Sequence, residues 1–263
     1  MGYTLITGTC GGLGRAFVWT LAARGESLFL TGRSQERLLE LATEIRSQYP
    51  SVEIKCFPCD LTNSHSRRAL FAFADENKLV FSRLIYVAGA DIQKSFEKYT
   101  EEKLVFQARV NFEGAVSCMR AVFERAPHDG NTEILTIGSV SGIYPMPYFA
   151  LYSATKKAIE QFSSAVRTEW KGRAKVTCVL PGAIPTRDDI KANIKTQGVW
   201  GRLAPLSPET VARRSLKAVK RNRRRVILGG WNKLMRIFTA LIPMRVKLKL
   251  IARRWIKTEK DAF

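Results

Sequence analysis

Tyr152 and Lys156 stand four residues apart in Tyr152-Ser153-Ala154-Thr155-Lys156, a spacing that puts a phenol and an ammonium on one face of a helix. A free phenol has a pKa of about 10, too high for efficient proton exchange at neutral pH. A nearby ammonium lowers that value by favouring the phenolate. The pair therefore suits a proton donor and the cation that tunes it. Ser139 lies thirteen residues upstream, after the apolar run Ile134-Leu135-Thr136-Ile137. A second constellation suits an anion. Thr7-Gly8-Thr9-Cys10-Gly11-Gly12-Leu13-Gly14 follows the apolar Tyr3-Thr4-Leu5-Ile6 and precedes a helix-like stretch from Arg15 to Ala22. Strand, glycine turn and helix make a phosphate cradle, because glycines admit a pyrophosphate close to the backbone and the helix N-terminus offers unpaired N–H groups.

These groups need a frame that gathers them. Apolar, strand-like runs near 3–8, 27–32, 52–57, 82–88, 132–138, 174–180 and 224–228 alternate with helix-like stretches near 12–24, 34–48, 64–77, 100–125, 150–171 and 207–220. That alternation predicts an α/β fold, a doubly wound parallel sheet with helices on both faces. Ligands in such sheets bind beyond the carboxyl ends of the strands. Gly8, Asp60, Gly89, Ser139 and Pro181-Gly182 all follow expected strands and should line one edge.

The glycine loop, Asn111, Ser139, Tyr152 and Lys156 occur in an order and spacing by which residues 1–228 resemble the short-chain dehydrogenase/reductase family. The resemblance implies a Rossmann-type fold, a nicotinamide cofactor, and hydride transfer between that cofactor and a ketone or secondary alcohol. It implies that Tyr152 donates the proton and that Lys156 tunes it and bonds the nicotinamide ribose. Ser139 would hydrogen-bond the substrate oxygen, and Asn111 would hold a water linking Lys156 to solvent. Cofactor contacts are expected from Gly8, Gly12, Leu13, Gly14, Arg33, Asp60, Ala88, Gly89, Tyr152, Lys156, Pro181, Gly182 and Thr186, with Asp60 at the adenine. One departure is visible: the family commonly carries Asn-Asn-Ala-Gly after the fourth strand, where this chain has Tyr86-Val87-Ala88-Gly89.

Cofactor choice turns on Gly32-Arg33 at the end of the second expected strand. A carboxylate there accepts bonds from the ribose 2′-hydroxyl of NAD and repels a 2′-phosphate, whereas a guanidinium suits the phosphate. Gly32 occupies the place of that carboxylate, Arg33 follows and Arg37 is one turn on, so NADP(H) is expected. Ser141, Tyr144, Met146 and Tyr148, with Pro145, Pro147 and Phe149, are expected to line an apolar substrate pocket. A lipophilic ketone or alcohol fits such a pocket, by analogy with the hydroxysteroid dehydrogenases and long-chain 3-oxoacyl reductases of the family. Residues 183–206 are poor in regular pattern and suit a lid or an ordinary surface excursion.

The chain of 263 residues has 43 Lys/Arg against 23 Asp/Glu, a net charge of +20. The excess is concentrated: eighteen basic residues lie from Gly201 onward, opposed there only by Glu209, Glu259 and Asp261. Residues 229–263 therefore read as a basic amphipathic extension. Trp231, Leu234, Met235, Phe238, Leu241 and Ile242 recur at helical spacing, as do Met244, Leu248, Ile251 and Trp255. Such a segment suits an anionic membrane surface, or it packs on the body or on a second subunit, so a homo-oligomer is left open. No specific nucleic-acid partner is expected. Five cysteines at irregular positions and the lack of a basic, cleavable leader point to the cytoplasm, with a peripheral membrane location if the tail docks. Cys56-Phe57-Pro58-Cys59 has no second pair and reads as a strand end, so no metal is expected. The competing function is a non-catalytic dinucleotide sensor that binds nucleic acid or membrane through its tail. A sensor has no need of Ser139, Tyr152 and Lys156 together.

Overall fold

Seven strands pair side by side in the computed structural model, which describes residues 2–186 and 205–256. They are β1 (Tyr3–Thr7), β2 (Leu28–Gly32), β3 (Ile54–Pro58), β4 (Phe81–Tyr86), β5 (Thr132–Ile137), β6 (Ala174–Leu180) and β7 (Arg225–Ile227). The order across the sheet is β3-β2-β1-β4-β5-β6-β7, and every pair is parallel. β1 and β5 are buried along their whole length. That explains why they read as continuous apolar runs rather than as alternating ones.

Two helical layers cover the sheet. On one face α1 (Gly12–Ala22), α2 (Gln35–Gln48) and α7 (Pro208–Lys220) bury Phe17, Leu21, Leu38, Leu41, Val211 and Leu216. On the other, α3 (Ser64–Glu76), α5 (Gly114–Glu124) and α6 (Ala150–Glu169) bury Leu70, Phe71, Met119, Val122 and Ile159. Side chains at the helix starts take up orphan N–H groups: Ser34 accepts from Arg37, Asn63 from His65 and Ser66, and Ser207 from Thr210 beside a proline in the first turn. α1 differs. It starts after Gly11 with no side-chain cap, and its first turn, Gly12 to Gly14, lines the cavity at the sheet edge, where its N–H groups can meet an anion. β1 has β2 on one side and β4 on the other, so the chain reverses direction across the sheet at the carboxyl end of β1. That crevice is where doubly wound sheets hold ligands.

The stretch expected as one helix over 100–125 is broken. α4 (Glu101–Ala108) passes into a π-helical turn, Arg109–Glu113, before α5 begins. The cause lies in β4. The buried Tyr86 hydroxyl donates to the Val110 carbonyl at 2.7 Å, so a tertiary bond occupies a carbonyl of the helix ladder. Gly114 makes room for that phenol, since a Cβ there would stand 2.7 Å from Tyr86 Oη. Single π turns of this kind are frequent at functional sites, and this one carries Asn111.

Beyond β7, α8 (Gly230–Ala240) and α9 (Met244–Trp255) fold back onto the body. The Tyr144 hydroxyl lies 3.0 Å from Thr239 Oγ1, and Lys247 Nζ sits 4.2 Å from the centre of the Tyr144 ring. Phe149 and Trp255 have ring centroids 6.4 Å apart. Of the segment expected as a lid, residues 187–204 lie outside the described residues.

Candidate active site

A cavity of about 1110 Å³ runs along the carboxyl edge of the sheet. At one end is the glycine loop. Gly8 has φ +66°, and a Cβ on Gly14 would come 2.1 Å from the Gly8 carbonyl oxygen, so neither position accepts a side chain without rebuilding the turn. Thr7 Oγ1 accepts from both Val87 and Ala88 N–H at 3.1 Å and ties the loop to the end of β4. Arg37 ties it to α2 by donating to the Cys10 carbonyl at 3.2 Å. Arg33 lies at the cavity wall with its guanidinium 6.0 Å from the centre of the Phe106 ring. Asp60 follows β3 and accepts from the Thr62 N–H and hydroxyl at 2.9 and 2.7 Å.

The middle of the cavity is lined by Ser139, Tyr152 and Lys156. Ser139 ends β5 and opens a 3-10 turn, Val140–Gly142, in which its hydroxyl oxygen accepts from Ser141 N–H at 3.1 Å. The Val140 N–H donates to the Pro181 carbonyl at 3.0 Å, which joins the ends of β5 and β6. Tyr152 and Lys156 share one face of α6 and both line the cavity. Phe149 stacks on the Tyr152 ring, with centroids 4.2 Å apart and planes at 14°. Lys156 is 5% exposed, donates to the Ile137 carbonyl at 2.9 Å, and has its Nζ 5.6 Å from the centre of the Tyr152 ring. Burial pushes the Lys156 ammonium down to about 8, opposed by the neighbouring Cys178 and Asp91.

Of the residues expected at the site, Gly8, Gly12, Leu13, Gly14, Arg33, Asp60, Ala88, Gly89, Ser139, Ser141, Tyr144, Met146, Tyr152, Lys156, Pro181, Gly182 and Thr186 all line this cavity. Two do not. Tyr148 sits at φ +62° in the turn before α6, and the chain reversal there leaves Phe149, rather than Tyr148, against the cavity. Pro145 and Pro147 are likewise outside the lining. Asn111 is buried behind the wall. Its amide accepts from Ala90 N–H at 2.8 Å and donates to Ala90 O at 2.9 Å and Thr155 Oγ1 at 3.1 Å. These bonds tie the Gly89-Ala90 loop to the helix bearing Tyr152 and Lys156. Where the family commonly carries two amides after β4, Thr7 Oγ1 here accepts from Val87 and Ala88 N–H and the Tyr86 hydroxyl donates to the Val110 carbonyl.

Sequence reasoning missed several lining residues. Asp91 and Gln93 follow the Ala88-Gly89 turn, and Phe106 and Val110 come from the broken helix. Asn232, Ile251 and Trp255 come from the tail. Asn232 carries a faint signal, a neutral amide two residues after Gly229-Gly230 in a segment whose other polar side chains are mostly basic. It donates to the Leu228 carbonyl at 2.7 Å, and its amide packs against Gly182, where a Cβ would stand 2.6 Å from Nδ2. Cys56 lies within β3 and Cys59 directly after it, and burial raises both thiols, Cys56 to about 11.

The features that would hold a dinucleotide are a glycine turn that a Cβ would block, an uncapped helix start and an arginine beyond β2. The residues present fit that group. The family model described as short chain dehydrogenase matches residues 3–197. The very-long-chain 3-oxoacyl-CoA reductase-A of Danio rerio is 28% identical over 192 residues, covering 70% of this chain and 59% of the relative. The very-long-chain 3-oxoacyl-CoA reductase of Bos taurus is 27% identical over 230 residues, covering 82% and 68%. This chain thus spans only part of the length of these relatives. Among solved structures, a 7beta-hydroxysteroid dehydrogenase superposes with a TM-score of 0.83 at 24% identity, covering 95% of this chain and 96% of the other. L-sorbose reductase from Gluconobacter frateurii, solved with NADPH and L-sorbose, superposes at 0.76 with 22% identity, covering 87% and 95%. At such identities the solved structures speak for the fold alone. The family match over most of the chain, on a seven-stranded parallel sheet with glycine loop, Ser139, Tyr152 and Lys156 on one cavity, places this protein in the short-chain dehydrogenase family.

Proposed function

We propose that the protein is an NADP(H)-dependent oxidoreductase that interconverts a lipophilic ketone and its secondary alcohol. The observation that carries this is the convergence of Ser139, Tyr152 and Lys156 on the cavity whose far end holds the glycine loop and Arg33. The nicotinamide supplies hydride when bound, so the protein's part is orientation and electrostatics. The α1 N-terminus and the bare turn at Gly8 and Gly14 receive the pyrophosphate, and Arg33 receives the 2′-phosphate. Tyr152 Oη donates its proton to the substrate oxygen, while the Ser139 hydroxyl donates a hydrogen bond to the same atom and steadies the charge arising there. Lys156 lowers the cost of the Tyr152 phenolate. Phe149, stacked on Tyr152, fixes the ring plane and keeps water from one of its faces.

The substrate end is apolar. Met146, Phe149, Ile251 and Trp255 stand there, with Tyr144 and Ser141 as polar exceptions. A steroid or a 3-oxoacyl chain fits that lining, and the curated relatives named above act, by name, on the latter class. A non-catalytic sensor gains no support from the relatives or from a site that keeps all three proton-handling residues.

Two outcomes test the cofactor half of this reading. Arg33→Ala weakens NADPH binding by about tenfold, the effect of one charge-assisted contact at an exposed site, and leaves NADH binding unchanged in a fluorescence titration. Equal losses for both dinucleotides would remove Arg33 from the 2′-phosphate. The second outcome follows from burial of Lys156. The group is charged below about 8 and neutral above it. The charged form favours the dinucleotide, so NADPH affinity falls as pH rises through that value. Binding above it is accompanied by proton uptake. Lys156→Met abolishes the step. An affinity flat from neutral to alkaline pH contradicts this role of Lys156.

A further inference from the structure

We propose that α8 and α9 form a docking surface for an anionic lipid bilayer, with an apolar stripe that enters the acyl boundary and a ring of basic side chains that meets the headgroups. The proposal deepens the reductase reading, from which the lipophilic substrate is taken, but it stands on the tail's own surface.

The two helices have two different faces. The inward one is accounted for: Asn232, Ile251 and Trp255 line the cavity, and Thr239 and Lys247 meet Tyr144. The outward one is apolar and uncovered. Leu234, Ile237, Phe238 and Leu241 follow the i, i+3, i+4, i+7 pattern of a single helical stripe, and Ile237, Phe238 and Leu241 are 65%, 55% and 84% exposed. Met244, Val246, Leu250 and Ile256 continue the exposed set along α9. Eight of the twelve large hydrophobic residues most exposed among the described residues therefore belong to this one segment. A cluster of this kind marks an interaction surface rather than chance exposure.

Charge chooses the partner. From Gly229 to Ile256 there is no Asp or Glu, whereas Lys233, Arg236, Arg245, Lys249, Arg253 and Arg254 are exposed around the stripe. A second copy of this chain, packed by two-fold symmetry, would set these cations against themselves with no carboxylate in the segment to answer them. Nucleic acid would satisfy the cations and leave Ile237, Phe238 and Leu241 in water. An anionic bilayer satisfies both at once. Among the described residues no helix is long and apolar enough to cross a membrane, so the contact is with the surface. Docking would bring the tail-lined end of the cavity to the bilayer, where a lipophilic ketone partitions.

The test is co-sedimentation of the full chain with phosphatidylglycerol–phosphatidylcholine vesicles and with pure phosphatidylcholine vesicles, at low and high salt. We expect binding to the anionic vesicles at low salt, at least about tenfold weaker binding to the neutral ones, and partial loss with salt, because the apolar contact is not screened. The triple variant Ile237→Ser, Phe238→Ser, Leu241→Ser weakens vesicle binding by at least about tenfold and keeps wild-type NADPH affinity, which certifies its fold. Lys233→Gln with Arg236→Gln weakens binding to anionic vesicles only. Failure to sediment with anionic vesicles overturns the proposal, as does equal binding to both lipids. A serine variant that turns a dimer into a monomer without any vesicle binding assigns the face to a second copy instead. None of these readouts involves turnover, so their failure is distinct from failure of the reductase reading.

Discussion

Tyr152→Phe lowers turnover by about 10²–10⁴-fold, the range for removal of a general acid, and leaves NADPH affinity unchanged. The substitution deletes one oxygen and keeps the ring. The stack on Phe149, with centroids 4.2 Å apart, needs only that ring. Lys156 keeps its bond to the Ile137 carbonyl and so remains in place to serve the dinucleotide. The effect therefore falls on kcat and not on cofactor binding, a separation that a merely structural tyrosine would not give. Steady-state turnover and a fluorescence titration of NADPH on the same preparation check it. Turnover within a few-fold of wild type would move the proton donor elsewhere, and a parallel loss of NADPH binding would show that the deleted hydroxyl serves the cofactor as well as the substrate oxygen.

Gly32→Asp reverses the cofactor preference. A Cβ at residue 32 meets nothing nearer than Leu38 Cδ2 at 3.7 Å and Cys10 Sγ at 3.8 Å, ordinary contact distances, and the backbone there is not left-handed. Space is thus not what excludes a carboxylate from this position. Once present, that carboxylate repels a 2′-phosphate and accepts from a 2′-hydroxyl. With a hydrogen bond to a charged group contributing about 1.5–3 kcal/mol, the ratio of NADPH to NADH affinity falls by about 10–100-fold. Competitive titration of both dinucleotides on wild type and variant measures it. An unchanged ratio would place the 2′-phosphate away from the end of β2.

The frame was legible because the central strands are buried on both faces and strand ends fall at glycine, aspartate or serine turns. β6 falls on Ala174–Leu180, as its apolar run indicates, and the other strands lie within two residues of expectation. The glycine loop and the Tyr152–Lys156 face were legible because helical spacing alone dictates which side chains share a side. What was illegible depends on partners distant in sequence. The break at Arg109–Glu113 arises where the Tyr86 hydroxyl takes the Val110 carbonyl, 24 residues away, and no local pattern encodes that bond. The Asn111 amide bonds Ala90 and Thr155, 21 and 44 residues away, and no local pattern encodes either partner. Tyr148 looks like one aromatic among several until its positive φ turns the chain. In the tail, amphipathicity was plain but its direction was not. Met235 and Leu234 belong to the same apolar set in sequence, and only the packing of the helix on the body shows that Leu234 is the exposed one and Met235 half-buried.

The central claim is hydride transfer from NADPH to a ketone in the cavity lined by Ser139, Tyr152 and Trp255. Its most direct measurement uses NADPH deuterated at nicotinamide C4 on the transferred face, with a panel of ketosteroids and 3-oxoacyl thioesters and mass analysis of the products. The account predicts at least one alcohol carrying a single deuterium on the carbinol carbon, formed by the wild type and lost in Tyr152→Phe. A protein that binds NADPH and yields no labelled alcohol from any member of either class, or that yields it equally well in the variant, contradicts the account.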